Sequence, residues 1–330
     1  MTEKIRNWSK RNSDIAALPF ILIAVIVIMT AATSGKFLSK GNLSALSSQL
    51  PELGLLSLAM MVVIITNGIN LSIISSANLV SVLMAIFMTR TITAETSTGM
   101  IWLIVLAAIL LGIIISIILG AINGGLIAYI GLPPMLATLG TMLLYEGITL
   151  TITKGFVISG MPDIFVEYSY AKILGVPLPL LTMILALIVV GIILERRPFG
   201  KYLYLIGSSE TVTRFSAIDT KKTIVKAYVM SGILAGIAGM VMLSRFNSAN
   251  ARSGSSLQLL TILISVLGGT DPNGGFGKVL GLTMSLLILQ FITSGLNLLG
   301  VTQFITLALW GILLIAVIAY RRFTEHKHSS

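Results

Sequence analysis

The sequence predicts an all-α, polytopic membrane bundle. Three observations carry that expectation. Of the 330 residues, 55% are hydrophobic and only 10% charged, where soluble domains carry about 25% charged residues. Ten apolar stretches approach or reach the ~20 residues that a helix needs to cross a bilayer. The one long hydrophilic interruption, residues 195–222, concentrates Arg196, Arg197, Lys201, Arg214, Lys221 and Lys222 against Glu195, Glu210 and Asp219.

In chain order the expected spans are 17–33, 51–67, 71–89, 100–122, 133–153, 176–194, 223–244, 257–270, 278–296 and 302–320. The first follows a polar, basic stretch without a convincing cleavage site, so it reads as a retained span and not a signal peptide. The eighth is too short to cross unaided. Several spans are thick with Gly, Ser and Thr, which let helix backbones approach closely in lipid. The loop 154–175 holds Pro162, Asp163, Glu167, Tyr168 and Tyr170 and has room for a short helix or lid.

Charge orients the bundle. With ten crossings and an inner N-terminus, the inner segments hold thirteen Lys and Arg residues: Lys4, Arg6, Lys10 and Arg11, the six of the long loop, and Arg321, Arg322 and Lys327. The outer segments hold six: Lys36, Lys40, Arg90, Lys154, Lys172 and Arg252. Lys226, Arg245 and Lys278 lie at span ends, where long side chains snorkel. Excess basic charge marks the cytoplasmic side, so both termini are expected there. The net charge of +10 belongs to this pattern. Nucleic-acid binding is not expected, because no basic run is interleaved with aromatics.

The long loop is the first candidate site. Residues 205–218 read as a short amphipathic helix. Gly207 is expected to break the preceding structure, and Ser208 or Ser209 to cap the new helix. Glu210 would sit in the first turn, favoured by the helix dipole, four residues before Arg214. Val212, Phe215 and Ile218 recur at helical spacing as an apolar edge. Two readings fit that edge: a surface helix lying on lipid headgroups, or a knob that inserts into a cytoplasmic partner.

The second candidate is Val266-Leu-Gly-Gly-Thr-Asp-Pro-Asn-Gly-Gly-Phe-Gly277. Gly268, Gly269, Gly274, Gly275 and Gly277 permit tight backbone approach where one apolar helix stops and another starts. Such a break at membrane depth must be buried in protein or line a cavity. The segment lacks the Gly-Lys-Ser/Thr ending of a phosphate-cradling loop. The third candidate is the amide set Asn67, Asn70 and Asn123 with Ser72. Uncharged amides that deep must find partners, either as interhelical hydrogen bonds or as the polar wall of a pathway. Glu52 and Glu146 are the carboxylates closest to span interiors, and an intramembrane carboxylate is either a proton relay or a structural partner.

Other chemistry lacks its residues. There is no cysteine, and His326 and His328, the only histidines, stand in the polar tail. No metal site, cofactor or catalytic set is expected.

Together these segments resemble the permease subunit of bacterial ABC importers for monosaccharides, the group of ribose, xylose, arabinose, rhamnose and furanosyl-autoinducer permeases. The resemblance covers roughly residues 15–320 and rests on five motifs in order. They are Thr66-Asn-Gly-Ile-Asn-Leu-Ser72, Ala137-Thr-Leu-Gly140, Gly200-Lys-Tyr202 followed by Gly207–Ile218, Val266–Gly269 with Gly274–Gly277, and Gly295–Val301. Departures from the family pattern are Asn70 for Asp, Ser209 for Asn, Thr211 and Val212 for two alanines, Ala217 for Gly, and Gln258 and Leu260 where several members carry an acidic pair. These bear on substrate preference and not on architecture; they suit a divergent member or one half of a heterodimeric pore.

The resemblance implies a cytoplasmic N-terminal segment 1–16, one transmembrane permease domain 17–320 with a coupling loop 195–222, and a cytoplasmic tail 321–330. It implies a bacterial inner-membrane protein, not an enzyme, that moves a simple sugar delivered by an extracytoplasmic binding protein. Its partners would be a separate cytoplasmic ATPase and a second permease subunit, the same or different, in a lipid environment. Gly207, Ser209, Glu210, Arg214, Phe215 and Ile218 would form the ATPase-coupling helix, with Asn67, Asn70, Ser72 and Asn123 along the pathway. Three other functions compete: a proton-coupled secondary transporter using Glu52 or Glu146, a permease for branched-chain amino acids, and a sensory or scaffold protein whose loop recruits a partner.

Overall fold

The computed structural model describes residues 2–93 and 95–326. Lys327 and His328, expected on the inner side, lie outside the described residues. So do the side chains of Lys4, Arg6, Lys10, Arg11, Arg321 and Arg322. The helices are α1 (Thr2–Ala32), α2 (Lys40–Ile64), α3 (Ile73–Thr91), α4 (Thr98–Ala128), α5 (Pro134–Thr153), α6 (Asp163–Tyr170), α7 (Leu178–Arg196), α8 (Pro198–Ser208), α9 (Glu210–Phe215), α10 (Thr220–Phe246), α11 (Leu257–Leu267), α12 (Val279–Leu298) and α13 (Gln303–His326). The only regular strands among the described residues are two short antiparallel pairs: Ile158–Ser159 with Ser248–Ala249, and Lys172–Ile173 with Val176–Pro177. The protein is an all-helical polytopic membrane protein. Among the described residues, seven helices are long and apolar enough to cross a bilayer, and Ala17–Ala32, Leu257–Leu267 and Gln303–Ala316 are shorter apolar helices.

Each expected span has a helix, and the boundaries differ for local reasons. The second starts at Lys40 instead of 51, because Ser39 caps it by accepting the Asn42 N–H. It stops at Ile64 in a left-handed close: Asn67 takes φ 62°, Gly68 N–H donates to the Val63 carbonyl and Asn67 N–H to that of Ile64, a Schellman end. The fourth runs on to Ala128, so Asn123, expected in a loop, is helical. Pro134, Pro179 and Pro198 stand in the first turns of α5, α7 and α8, where a missing N–H costs nothing.

The centre of the bundle is α2, α3 and α10. α2 buries 83% of its most apolar window, while α5 buries 28%. Aliphatic side chains alone distinguish poorly between helix neighbours and lipid, so backbone approach decides the contacts. Gly112, Ser116, Gly120 and Gly124 recur every fourth residue on one face of α4. A Cβ at Gly120 would lie 2.5 Å from the Tyr228 carbonyl oxygen, and one at Gly232 would lie 2.5 Å from the Ser116 carbonyl. α4 and α10 therefore touch main chain to main chain.

α11 is only about 16 Å long, half a bilayer. It is preceded by the irregular stretch 247–256, whose Ala251 and Ser253 carbonyls accept from Asn78 Nδ2 at 3.0 Å each. That stretch packs on α3, with Ala251 buried and Arg252, Ser255 and Ser256 exposed. The glycine-rich loop 268–277 lies at one end of the bundle, with Gly268, Thr270, Asp271 and Gly277 buried in protein. Segments 65–70, 195–222 and 268–277 gather there, with Tyr129 alongside under the Lys221 ammonium, 5.6 Å from its ring centroid. The opposite end carries the Ile158–Ser159 and Ser248–Ala249 pair, and α6 docked on α10 through Ser244 Oγ, which donates to the Phe165 carbonyl at 2.7 Å.

The α4–α10 contact yields a prediction. Gly232→Val forces the two main chains apart and costs about 1–3 kcal/mol or more. Gly140→Ala, on an open face of α5, costs nothing. Melting of the detergent-solubilised variants should fall for the first and not the second.

Candidate functional site

The geometry at the loop-bearing end starts from α8. Gly200 and Gly207 are seven residues apart and share its buried face, with Leu203 and Ile206 filling the same side. A Cβ at Gly200 would overlap the Ile193 and Leu194 carbonyls that end α7. A Cβ at Gly207 would overlap the Ile65 carbonyl oxygen and the Gly275 amide nitrogen. Those two atoms are themselves bonded, Gly275 N–H donating to Ile65 O at 2.9 Å. Gly274, at φ 84°, packs on the Gly207 Cα and the Asn67 backbone. Tyr204 adds a hydrogen bond from its hydroxyl to the Gly277 carbonyl at 2.7 Å. Burial, with the nearby Glu195 charge, pushes the Tyr204 hydroxyl up to about 12, so it remains a donor at neutral pH. Gly268 packs on the Gly281 main chain instead, and Gly269 takes φ 90° beside it.

Gly207 therefore does not break the helix, as the sequence suggested; it is the last inward-facing residue of α8. The break falls at Ser209, whose hydroxyl accepts the Val212 N–H and opens α9. The expected Glu210–Arg214 ion pair is absent. Glu210 Oε1 instead accepts from Thr220 Oγ1 at 3.4 Å, tying α9 to the start of α10. Thr213 turns inward, Arg214 is exposed, and Val212 and Phe215 are 65% and 83% exposed. Ile218 is half-buried and lines a groove of about 430 Å³ with Phe199, Tyr202, Lys222 and Lys226.

The amide set separates into two. Asn67 is exposed at the Schellman end of α2 and takes no part in the buried cluster. Asn70, Ser72 and Asn123 come together, each 2% exposed or less. Asn70 Oδ1 accepts from the Ser72 amide and hydroxyl, while Asn70 Nδ2 donates to Ser231 Oγ at 3.2 Å. Asn123 Nδ2 donates to Ser72 Oγ at 2.7 Å, and its Oδ1 accepts from Thr141 Oγ1 at 2.6 Å. Thr138 Oγ1 donates to the Ile69 carbonyl and accepts from the Leu71 N–H. Gln258 Nε2 reaches the Asn70 carbonyl at 3.4 Å. Two positions that depart from the family pattern, 70 and 258, thus meet. The Gln258 amide donates there to main chain, while the Asn70 side chain turns to Ser72 and Ser231. Leu260 is buried in the apolar core and does not join them.

Sequence reading did not single out Thr138, Thr141, Ser231, Asn78 or Tyr204. Thr138 lies in the quoted Ala137–Gly140 motif, and a lone hydroxyl such as Ser231 in an apolar helix carries no pattern of its own.

Both intramembrane carboxylates are paired. Glu52 Oε1 lies 2.7 Å from Arg245 Nη1, and Glu146 Oε1 lies 2.8 Å from Arg252 Nε. The first pair is mostly buried and the second opens to solvent on its arginine side.

Comparison with known proteins agrees with this architecture. Residues 42–318 match the family model described as branched-chain amino acid transport system / permease component. The ribose import permease protein RbsC of Bacillus subtilis (strain 168) is 36% identical over 309 residues, covering 92% of each chain. The autoinducer 2 import system permease protein LsrD of Yersinia pseudotuberculosis serotype O:1b (strain IP 31758) is 29% identical over 313 residues, covering 93% of this chain and 91% of that protein. LsrD of Yersinia pestis (strain Pestoides F) is 28% identical over the same length. No solved structure matches the chain. The family match, spanning most of the sequence, and the relatives of nearly equal length make this chain a member of the permease-component family of membrane transport systems.

Proposed function

We propose that the chain is the membrane-spanning subunit of an ATP-driven importer for a monosaccharide. A cytoplasmic ATPase docks on the end bearing α8 and α9, and a binding protein delivers substrate at the opposite end. A second permease subunit completes the pathway. The chain crosses ten times with both termini in the cytoplasm, a reading supported by thirteen basic residues against six.

The observation that carries the reading is a short helix held rigidly at one bundle end while its Val212, Arg214 and Phe215 stay bare. An exposed aromatic beside a cation is the composition of an interface anchor. The relatives' names point to ribose and autoinducer 2 as cargo. The Asn70 cluster contains amides and hydroxyls only, chemistry that serves a neutral polyol through hydrogen bonds. A zwitterionic amino acid calls for charges, which that cluster lacks. A proton-coupled mechanism is disfavoured because both carboxylates already hold arginines.

Phe215→Ala and Arg214→Glu should each release the ATPase in a pull-down while membrane insertion stays intact; co-purification that survives both changes removes the docking role. In proteoliposomes the assembled complex should take up sugar only with ATP, and a pH gradient alone should drive none. Glu146→Gln, on the solvent-open pair, should leave that uptake within about twofold. Glu52→Gln should cost about 3–5 kcal/mol by stranding Arg245, read as a lower melting temperature.

A further inference from the structure

We propose that Gly207, and not the exposed helix α9, is the joint through which ATPase motion enters the membrane domain. The inference rests on the transport reading above and names the part of this chain that performs the coupling.

The geometry runs in two steps. First, α8 is pinned at both ends of one face: at Gly200 to the end of α7, and at Gly207 to Ile65 and Gly275. Both contacts are main chain on main chain. No side chain lies between the surfaces to change rotamer and absorb a displacement, and close-packed protein transmits strain. α9 continues from α8 through the single extended residue Ser209, so a push on α9 arrives at the Gly207 contact.

Second, the segment struck by Gly207 runs directly into the buried cluster. Asn70 lies five residues beyond Ile65 in the chain. Residues 69–72 bond to α5 through Thr138, to α4 through Asn123, to α10 through Ser231 and to α11 through Gln258. The same contact carries Gly274 and Gly275, which link α11 to α12. One glycine contact thus connects the loop to five helices, α4, α5, α10, α11 and α12. Tyr204 holds that loop from α8 a second time, through Gly277.

The test separates coupling from assembly. The permease, ATPase and binding protein are reconstituted together, and uptake, ATP hydrolysis and ATPase co-purification are read in parallel. Gly207→Ala should keep co-purification, because Gly207 faces away from α9's bare side. It should keep hydrolysis and lose uptake by tenfold or more. Tyr204→Phe, which preserves packing, guards against misfolding of the alanine variant. It should lower uptake by roughly fivefold, the scale of one hydrogen bond, with hydrolysis unchanged and only a small fall in melting temperature. The joint is overturned if folded Gly207→Ala transports normally, if Tyr204→Phe transports normally, or if uptake, hydrolysis and co-purification fall together in Tyr204→Phe. Absence of ATP-dependent uptake in the wild-type complex overturns the transport reading itself.

Discussion

Main chain packed directly against main chain is the interaction on which the rest of this structure depends. In lipid a leucine gains little by leaving the bilayer for another helix, so the energy of association comes from close approach and from hydrogen bonds between helices. Both sources are visible here. Gly120 and Gly124 bring α4 onto α10, and Ser81 Oγ donates to the Gly239 carbonyl at 2.8 Å to hold α3 there too. The same device recurs outside the apolar region, where Gly200 and Gly207 seat α8. The bundle and its candidate lever are therefore assembled by one kind of contact, and the lever is as stiff as the bundle.

Stiffness at that end contrasts with the irregular stretch 247–256. Its ten residues contain no helix and are held by Asn78, by the Arg252–Glu146 pair, and by the short strand pairing with Ile158–Ser159. These ties are hydrogen bonds and one half-exposed ion pair, weaker and more local than interlocked backbones. Segments that open locally are drawn from regions held by such contacts. The buried amide and hydroxyl cluster ties residues 69–72 to the start of α11 through Gln258. Its partners are all neutral, so its connections do not depend on protonation near pH 7.

Much of this was legible in the residues. A 10% charged content and apolar runs of membrane length follow from bilayer chemistry alone, because charge is expelled from hydrocarbon whatever the packing. The short eighth span, the cap at Ser209 and the exposed edge of Val212 and Phe215 are local properties, and local sequence determined them. The motifs from Thr66 to Val301 were sufficient to suggest the permease family.

Tertiary structure decided what depends on residues distant in the chain. Gly207 read as a helix breaker, since glycine lowers helix stability wherever it stands; only the approach of Ile65 and Gly275 makes it a contact. Glu210 looked paired with Arg214 at favourable spacing, and Thr220 took it instead. Asn67 and Asn70 looked alike three residues apart, yet one closes a helix in a left-handed turn at the surface and the other is buried among Ser72, Asn123 and Ser231. Glu52 and Glu146 read as possible relays until Arg245 and Arg252 were found beside them. Hydropathy and caps are written in neighbouring residues, whereas backbone overlap and buried pairing are relations between helices that sequence order does not encode.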